Sequence, residues 1–325
     1  MINELKKIID VSRNIGKCPD LVQGAGGNIS VKDENGKMLI KASGWRLSDI
    51  NENEGLVKVN CKNINANCDF SRYSGSRPSI ETGFHILLDK YVIHTHPACA
   101  NIISCSLKGE QLMKEIFRNI DIEPIWLQYA NPGLDLALAM GKKINEYKKR
   151  HGKLPEVVLM QNHGLVVSGN DINRVSQLQV GVVKLIRDYL KLEEYFPQVK
   201  ISQTQKNEFR SGTEYLKEFI RNNYQLVKNI SENILFPDLA VFCPGLDKKV
   251  VINETTGEIL YKTNQKESLA MEENLTAWAY IVDCAKNCGL NLNFISQDDI
   301  NYINNMESEK FRKKMVKKRD AQQSS

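Results

Sequence analysis

The chain has 325 residues, 42% of them hydrophobic and 26% charged, enough apolar material for a sizeable core in one large domain or two modest ones. A mean hydropathy of -0.38, and no apolar run approaching the ~18–20 residues of a membrane-spanning helix, exclude an integral membrane protein of helical type. The formal charge of +5 points to no nucleic-acid partner, because it resides in one place. The segment 310–319 (KFRKKMVKKR) holds seven basic residues, and the remaining 37 face 39 acidic ones.

Residues 2–15 carry Ile2, Leu5, Ile8, Ile9 and Ser12 on one stripe, which predicts an amphipathic helix rather than a signal peptide; the expected location is cytoplasmic. A glycine turn at 24–28 (GAGGN) leads into a strand, and Asn35-Gly36 between apolar runs predicts a hairpin. Ala42-Ser43-Gly44 ends its second arm, residues 55–60 form another strand, and 60–76 are polar loop. Pro78-Ser79 is expected to open a helix with Ser79 as its N-cap. A strand over 91–96 follows, then helices near 98–106 and 108–118, a strand over 122–127, and a helix over 134–149. Strands on either side of Asn162-His163-Gly164 and a long helix over 171–195 complete this part. Beyond Pro197 the pattern predicts a linker plus helix (198–232), strands near 239–243, 249–253 and 258–262, and helices near 268–288 and 297–318. The division read from this pattern is a catalytic domain over 1–197 and a small α+β extension with a basic helical tail over 198–325.

None of the eight cysteines (18, 61, 68, 99, 105, 243, 284 and 288) pairs as C-x-x-C, and their spacing resembles no zinc knuckle or secreted framework, so reduced thiols are expected. The histidines are more telling. His94 and His96 are two apart on a strand and share a face, so both imidazoles can reach one ion. His163, in a glycine-flanked turn, can complete a tri-histidine face with positions left open, as in a catalytic metal site. Ordinary hydrogen bonding is the competing reading for the H-x-H pair. Glu81 either steadies the start of its helix or serves a metal as ligand or proton shuttle, and His85 is read as a hydrogen-bonded packing residue. The turns at Gly27-Asn28 and Ser43-Gly44, with Ser79, offer donors for a phosphate or carboxylate. Neither G-x-G-x-x-G nor a Walker sequence occurs, which gives no support to dinucleotide or nucleoside-triphosphate binding.

The segments GAGGNISV, IKASGW, RPSIETGFH, VIHTHP, LQYANPG and LMQNHGLVVSG, in this order over residues 1–195, resemble the signatures of the class II aldolase/adducin family. The IKASGW and RPSIET forms are similar to the aldolase portion of bifunctional rhamnulose-phosphate-aldolase-like/dehydrogenase proteins. The resemblance implies a three-layer α/β/α fold around a central, mostly antiparallel sheet, in tetramers with sites near subunit interfaces. It implies Zn2+, or another divalent transition metal, on His94, His96 and His163, with Glu81 as catalytic acid/base and Tyr129 as a proton donor supplied to a neighbouring subunit. Gly27, Asn28, Ser43, Gly44 and Ser79 correspond to a substrate-phosphate cradle. The implied activity is retro-aldol cleavage of a sugar, sugar phosphate or sugar acid through a metal-stabilised enediolate, with a small carbohydrate as substrate. An epimerase, dehydratase or decarboxylase on the same metal site is the alternative, and a non-catalytic adducin-like binding protein another. Ile80 stands where sugar-phosphate members have a second serine, so Arg46 or Arg77 is expected to compensate, or the substrate to carry another group. The basic tail is read as a solvated face or oligomer contact rather than a site for nucleic acid.

Overall fold

The computed structural model describes residues 2–63, 76–243 and 249–323. Cys68 and most of the predicted 60–76 loop lie outside them, as do the side chains of Lys318 and Arg319. Among the described residues no helix is long and apolar enough to cross a membrane.

After helix α1 (Ile2–Gly16), strands β1 (Asn28–Lys32), β2 (Lys37–Lys41) and β3 (Leu56–Asn60) form a meander. The short helix α2 (Thr82–Leu87), strand β4 (Tyr91–Thr95), helices α3 (Ala98–Ser104) and α4 (Gly109–Ile116), strand β5 (Ile125–Leu127) and helix α5 (Leu134–His151) follow. Strands β6 (Val157–Met160) and β7 (Gly164–Gly169) and helix α6 (Ile172–Leu190) complete the layers. The sheet order is β3-β2-β1-β4-β7-β6-β5, antiparallel throughout except for β5 beside β6.

Strand alternation sorts the core into two halves. Tyr91, Ile93, Leu159, Leu165 and Val167 face one way, with residues of α1, α3, α4 and α6 in the same apolar cluster. Val92, Val158, Met160 and Val166 face the other way, with residues of α2 and α5. This is the three-layer arrangement around a mostly antiparallel sheet.

Beyond β7 the chain adds β8 (Ile201–Gln205), β9 (Glu208–Ser211), α7 (Glu214–Lys228), α8 (Pro237–Phe242), β10 (Val250–Ile252) and β11 (Ile259–Tyr261). Helices α9 (Gln265–Asn287), α10 (Gln297–Asn305) and α11 (Glu307–Gln323) end it. The four strands form a second antiparallel sheet in the order β10-β11-β9-β8. A third apolar cluster joins α7, α8 and α9 to Ala25, Ala98, Ile102 and Cys105.

Three local expectations are corrected. Of residues 239–243, expected as strand, 239–242 belong to helix α8 and Cys243 is its C-cap; a short apolar run suits either state, and Pro237 at the first helical turn settles it. The stretch from 198 holds a hairpin, not only linker and helix. Ser79 does not cap α2, because Pro78 bridges Ala42 and the Ser79 amide donates to the Lys41 carbonyl (3.0 Å). These contacts keep the chain beside β2, so the helix starts at Thr82 with Glu81 in the cap position.

Candidate metal centre

Sheet register brings the first polar groups together. In the β1–β4 pairing Asn28 lies directly opposite His94, so both side chains rise from the same face. His96 follows two residues later, just past the end of β4, and the β6–β7 turn delivers His163. Asn162 holds that turn with a left-handed φ of 52°. The three imidazoles are buried and offer nitrogen atoms all within 4.8 Å of one another.

Nε2 of His96 lies 3.0 Å from Nε2 of His94. Two nitrogens each about 2.0–2.1 Å from one tetrahedral ion sit ~3.3 Å apart, so this spacing suits shared ligation. His94 Nδ1 lies 3.0 Å from the Leu165 carbonyl, which places the ring proton on Nδ1 and leaves Nε2 as a lone-pair donor. Burial pushes the His94 imidazole down to about 3, so at neutral pH it is in the ligating form. Three imidazole nitrogens and one carboxylate are a donor set that fits a divalent ion of zinc type.

That carboxylate is Glu81, whose Oε1 is 3.0 Å from His163 Nε2 and whose Oε2 is 3.4 Å from His94 Nε2. Burial alone would raise its carboxyl, but the facing His94 and His163 and the hydrogen bond to His163 hold it well below its ordinary value. The Asn28 amide donates to Glu81 Oε2 (2.7 Å) and to Ser79 Oγ (3.2 Å). Asn28 Oδ1 in turn contacts His85 Nε2, and His85 Nδ1 lies 2.7 Å from Ser30 Oγ. His85 is therefore the hydrogen-bonded packing residue expected, but its bonds run to the group that positions Glu81. Lys32 donates to the carbonyls of His85 (2.6 Å) and Leu88 (2.5 Å) and so ends α2 where the site needs it.

The other wall comes from beyond residue 197. Asp238 Oδ2 on α8 is 3.1 Å from His96 Nδ1, and Asp238 Oδ1 accepts from Arg312 of α11 at 2.5 Å. Arg312 also meets Glu309 at 2.7 Å. Burial would raise the Asp238 carboxyl, but Arg312 and His96 hold it below the usual carboxylate range. A cavity of about 30 Å³ lies between the halves, lined among others by Gly27, Asn28, Ser43, Ser79, Glu81 and Arg312.

The predicted site residues thus divide. His94, His96, His163 and Glu81 converge, and Gly27, Asn28, Ser43 and Ser79 line the adjoining cavity. Gly44 does not; it lies under Met315 of α11, whose Cβ would be 2.6 Å from a side chain placed there. Tyr129 is not among the residues lining the cavity of its own chain; its hydroxyl donates to Asn131 (3.2 Å), which donates to Asp299 (2.8 Å). Neither arginine expected to compensate for Ile80 lines the cavity: Arg46 pairs with Glu273, and Arg77 lies over the Phe311 ring at 4.3 Å. The cations there are Lys41 and Arg312. Sequence reasoning missed Asp238, Glu309 and Arg312, for which no local motif exists, and the part His85 plays in holding Asn28.

An uncharacterized oxidoreductase, YuxG, of Bacillus subtilis is 33% identical over 117 residues, 35% of this chain but only 16% of that protein, so the match spans about a sixth of its length. A methylthioribulose-1-phosphate dehydratase of Pectobacterium carotovorum is 27% identical over 169 residues, 47% of this chain and 76% of that one. The solved N-terminal class II aldolase domain of a conserved Thermoplasma acidophilum protein is 24% identical, with 57% of this chain and 92% of that one covered, at a TM-score of 0.46. The Class II Aldolase and Adducin N-terminal domain matches residues 6–190, more than half of the sequence, and the chain belongs to that family.

Proposed function

We propose that the protein is a zinc-dependent carbon–carbon lyase that cleaves a sugar, sugar phosphate or sugar acid by a retro-aldol step. The observation that carries this reading is a carboxylate, Glu81, held 3.0–3.4 Å from two of three converging imidazoles. His94, His96 and His163 would hold the ion, which when bound supplies a Lewis acid for the carbonyl and neighbouring hydroxyl of a substrate. Glu81 moves the proton at the substrate carbon, and the Asn28 amide keeps its carboxylate aimed. Ser43, Ser79 and the backbone at Gly27 bind the far end of the substrate, with Arg312 in place of the missing second serine. Tyr129 serves the site of a neighbouring copy in a homotetramer, as the family resemblance implies.

Metal analysis and a product screen test this together. The purified protein should carry one divalent ion per chain, lost in His94→Ala and His96→Ala. With zinc present, a ketose, ketose phosphate or sugar acid should yield a free aldehyde and a shorter fragment. Protein without stoichiometric metal refutes the enzyme reading. Loss of water with the carbon count unchanged would favour a dehydratase instead, the reading supported by likeness to the Pectobacterium dehydratase.

A further inference from the structure

The three imidazoles come from the family-matched part of the chain, but two of them are braced from outside it. His96 Nδ1 faces Asp238 Oδ2 at 3.1 Å, a charge-pair approach, and among the described residues neither atom makes an aligned hydrogen bond. Both side chains are at least nine-tenths buried, so each is the other's only available polar counterpart. The approach is made room for: a Cβ on Gly26 would sit 2.2 Å from Asp238 Oδ2 and 2.9 Å from His96 Nδ1. Asp238 is itself fixed from behind by Arg312 on α11. His163 is braced separately. Its neighbour Asn162, in the left-handed conformation, donates to the carbonyls of Leu235 (2.9 Å) and Asn293 (2.7 Å) and accepts from the Asn293 amide (3.0 Å).

We propose that Asp238 is a positioning residue for the metal centre, acting through His96, and that the segment beyond residue 197 is a structural part of the site rather than an appendage. A carboxylate facing Nδ1 holds the ring proton there, turns Nε2 toward the other two imidazoles and makes it a better ligand. His94 reaches the same state through the Leu165 carbonyl, so two rings are set by different acceptors. Arg312 holds the Asp238 carboxylate in place, so α11 acts on His96 at one remove.

The inference rests on the reading that the three histidines bind a divalent ion, and the test separates the two. Zinc affinity is measured on the full chain by competition with a chelator, and the visible spectrum of the cobalt-substituted protein reports ligand geometry. Asp238→Ala should weaken zinc binding ~10–100-fold and alter the cobalt spectrum, and Asp238→Asn, of the same shape and still able to accept a hydrogen bond, should recover part of the loss. Should the alanine variant fail to melt cooperatively, the asparagine variant carries the comparison. Affinity within about twofold of wild type, with an unchanged cobalt spectrum, overturns the role of Asp238 while leaving the metal site standing. Wild-type protein that binds no stoichiometric metal overturns the underlying reading instead.

Discussion

Gly26→Ala isolates the contact between the two parts of the site. The added methyl carbon would lie 2.2 Å from Asp238 Oδ2, and 2.9 Å from both the Gln23 carbonyl oxygen and His96 Nδ1. A carbon and an oxygen tolerate ~3.3 Å, so the carboxylate must retreat by about 1 Å. That stretches its 3.1 Å approach to His96 beyond hydrogen-bonding range. Overpacking of this kind costs about 1–3 kcal/mol. Part of the cost arises from Oδ2 alone, so Gly26→Ala should be cheaper by ~1 kcal/mol in an Asp238→Ala background. Urea unfolding of the four metal-free proteins in a double-mutant cycle measures this coupling. Equal cost in both backgrounds, to within ~0.5 kcal/mol, would refute the idea that Gly26 exists to admit Asp238.

Other substitutions probe neighbouring links. Glu273→Ala strands the mostly buried Arg46 and removes the acceptor of the Gly24 amide (2.6 Å), at a cost of ~2–4 kcal/mol in urea unfolding, a little under that of a fully enclosed pair because Arg46 keeps some exposure. Asn28→Ala leaves Glu81 without its amide donor and His85 without its acceptor; each orphaned group costs ~1–3 kcal/mol, and turnover should fall more than substrate binding weakens. Burial, reinforced by the neighbouring His94, holds His85 well below its ordinary value of 6.5. Below pH 6.5 the unfolded chain therefore binds a proton the folded one refuses, and stability falls with pH at up to ~1.4 kcal/mol per unit. His85→Asn should flatten that slope between pH 6.5 and 5, as read from urea midpoints.

What could be read in advance follows the range of the interactions. The H-x-H pair shares a face because strand parity is local, and the turn carrying His163 announces itself by its glycine. Glu81 stood out as a carboxylate at a helix start near the histidines, and the family resemblance supplied its catalytic role, Tyr129 and the order of segments. The pairing of Asn28 with His94 depends on register between strands some sixty residues apart, which no local pattern encodes. Ser79 has the chemistry of an N-cap, but a bridge from Pro78 to Ala42 holds the chain extended. Asp238 sits in a run that reads equally as strand or helix, and its partners lie on other elements. Arg46 and Arg77 had the right charge and proximity in sequence, but Glu273 and Phe311 reach them first.

The placement of Arg312 on the last helix also orders the events of synthesis. At about 5–20 residues per second, the stretch from His96 to Arg312 takes on the order of 10–40 s to emerge from a ribosome. Throughout that interval the imidazoles exist without Asp238 and its guanidinium partner, and Asn162 without the carbonyls of Leu235 and Asn293. The nascent chain thus makes its ligands long before the residues that steady them, and the pocket is finished only once α11 has been made.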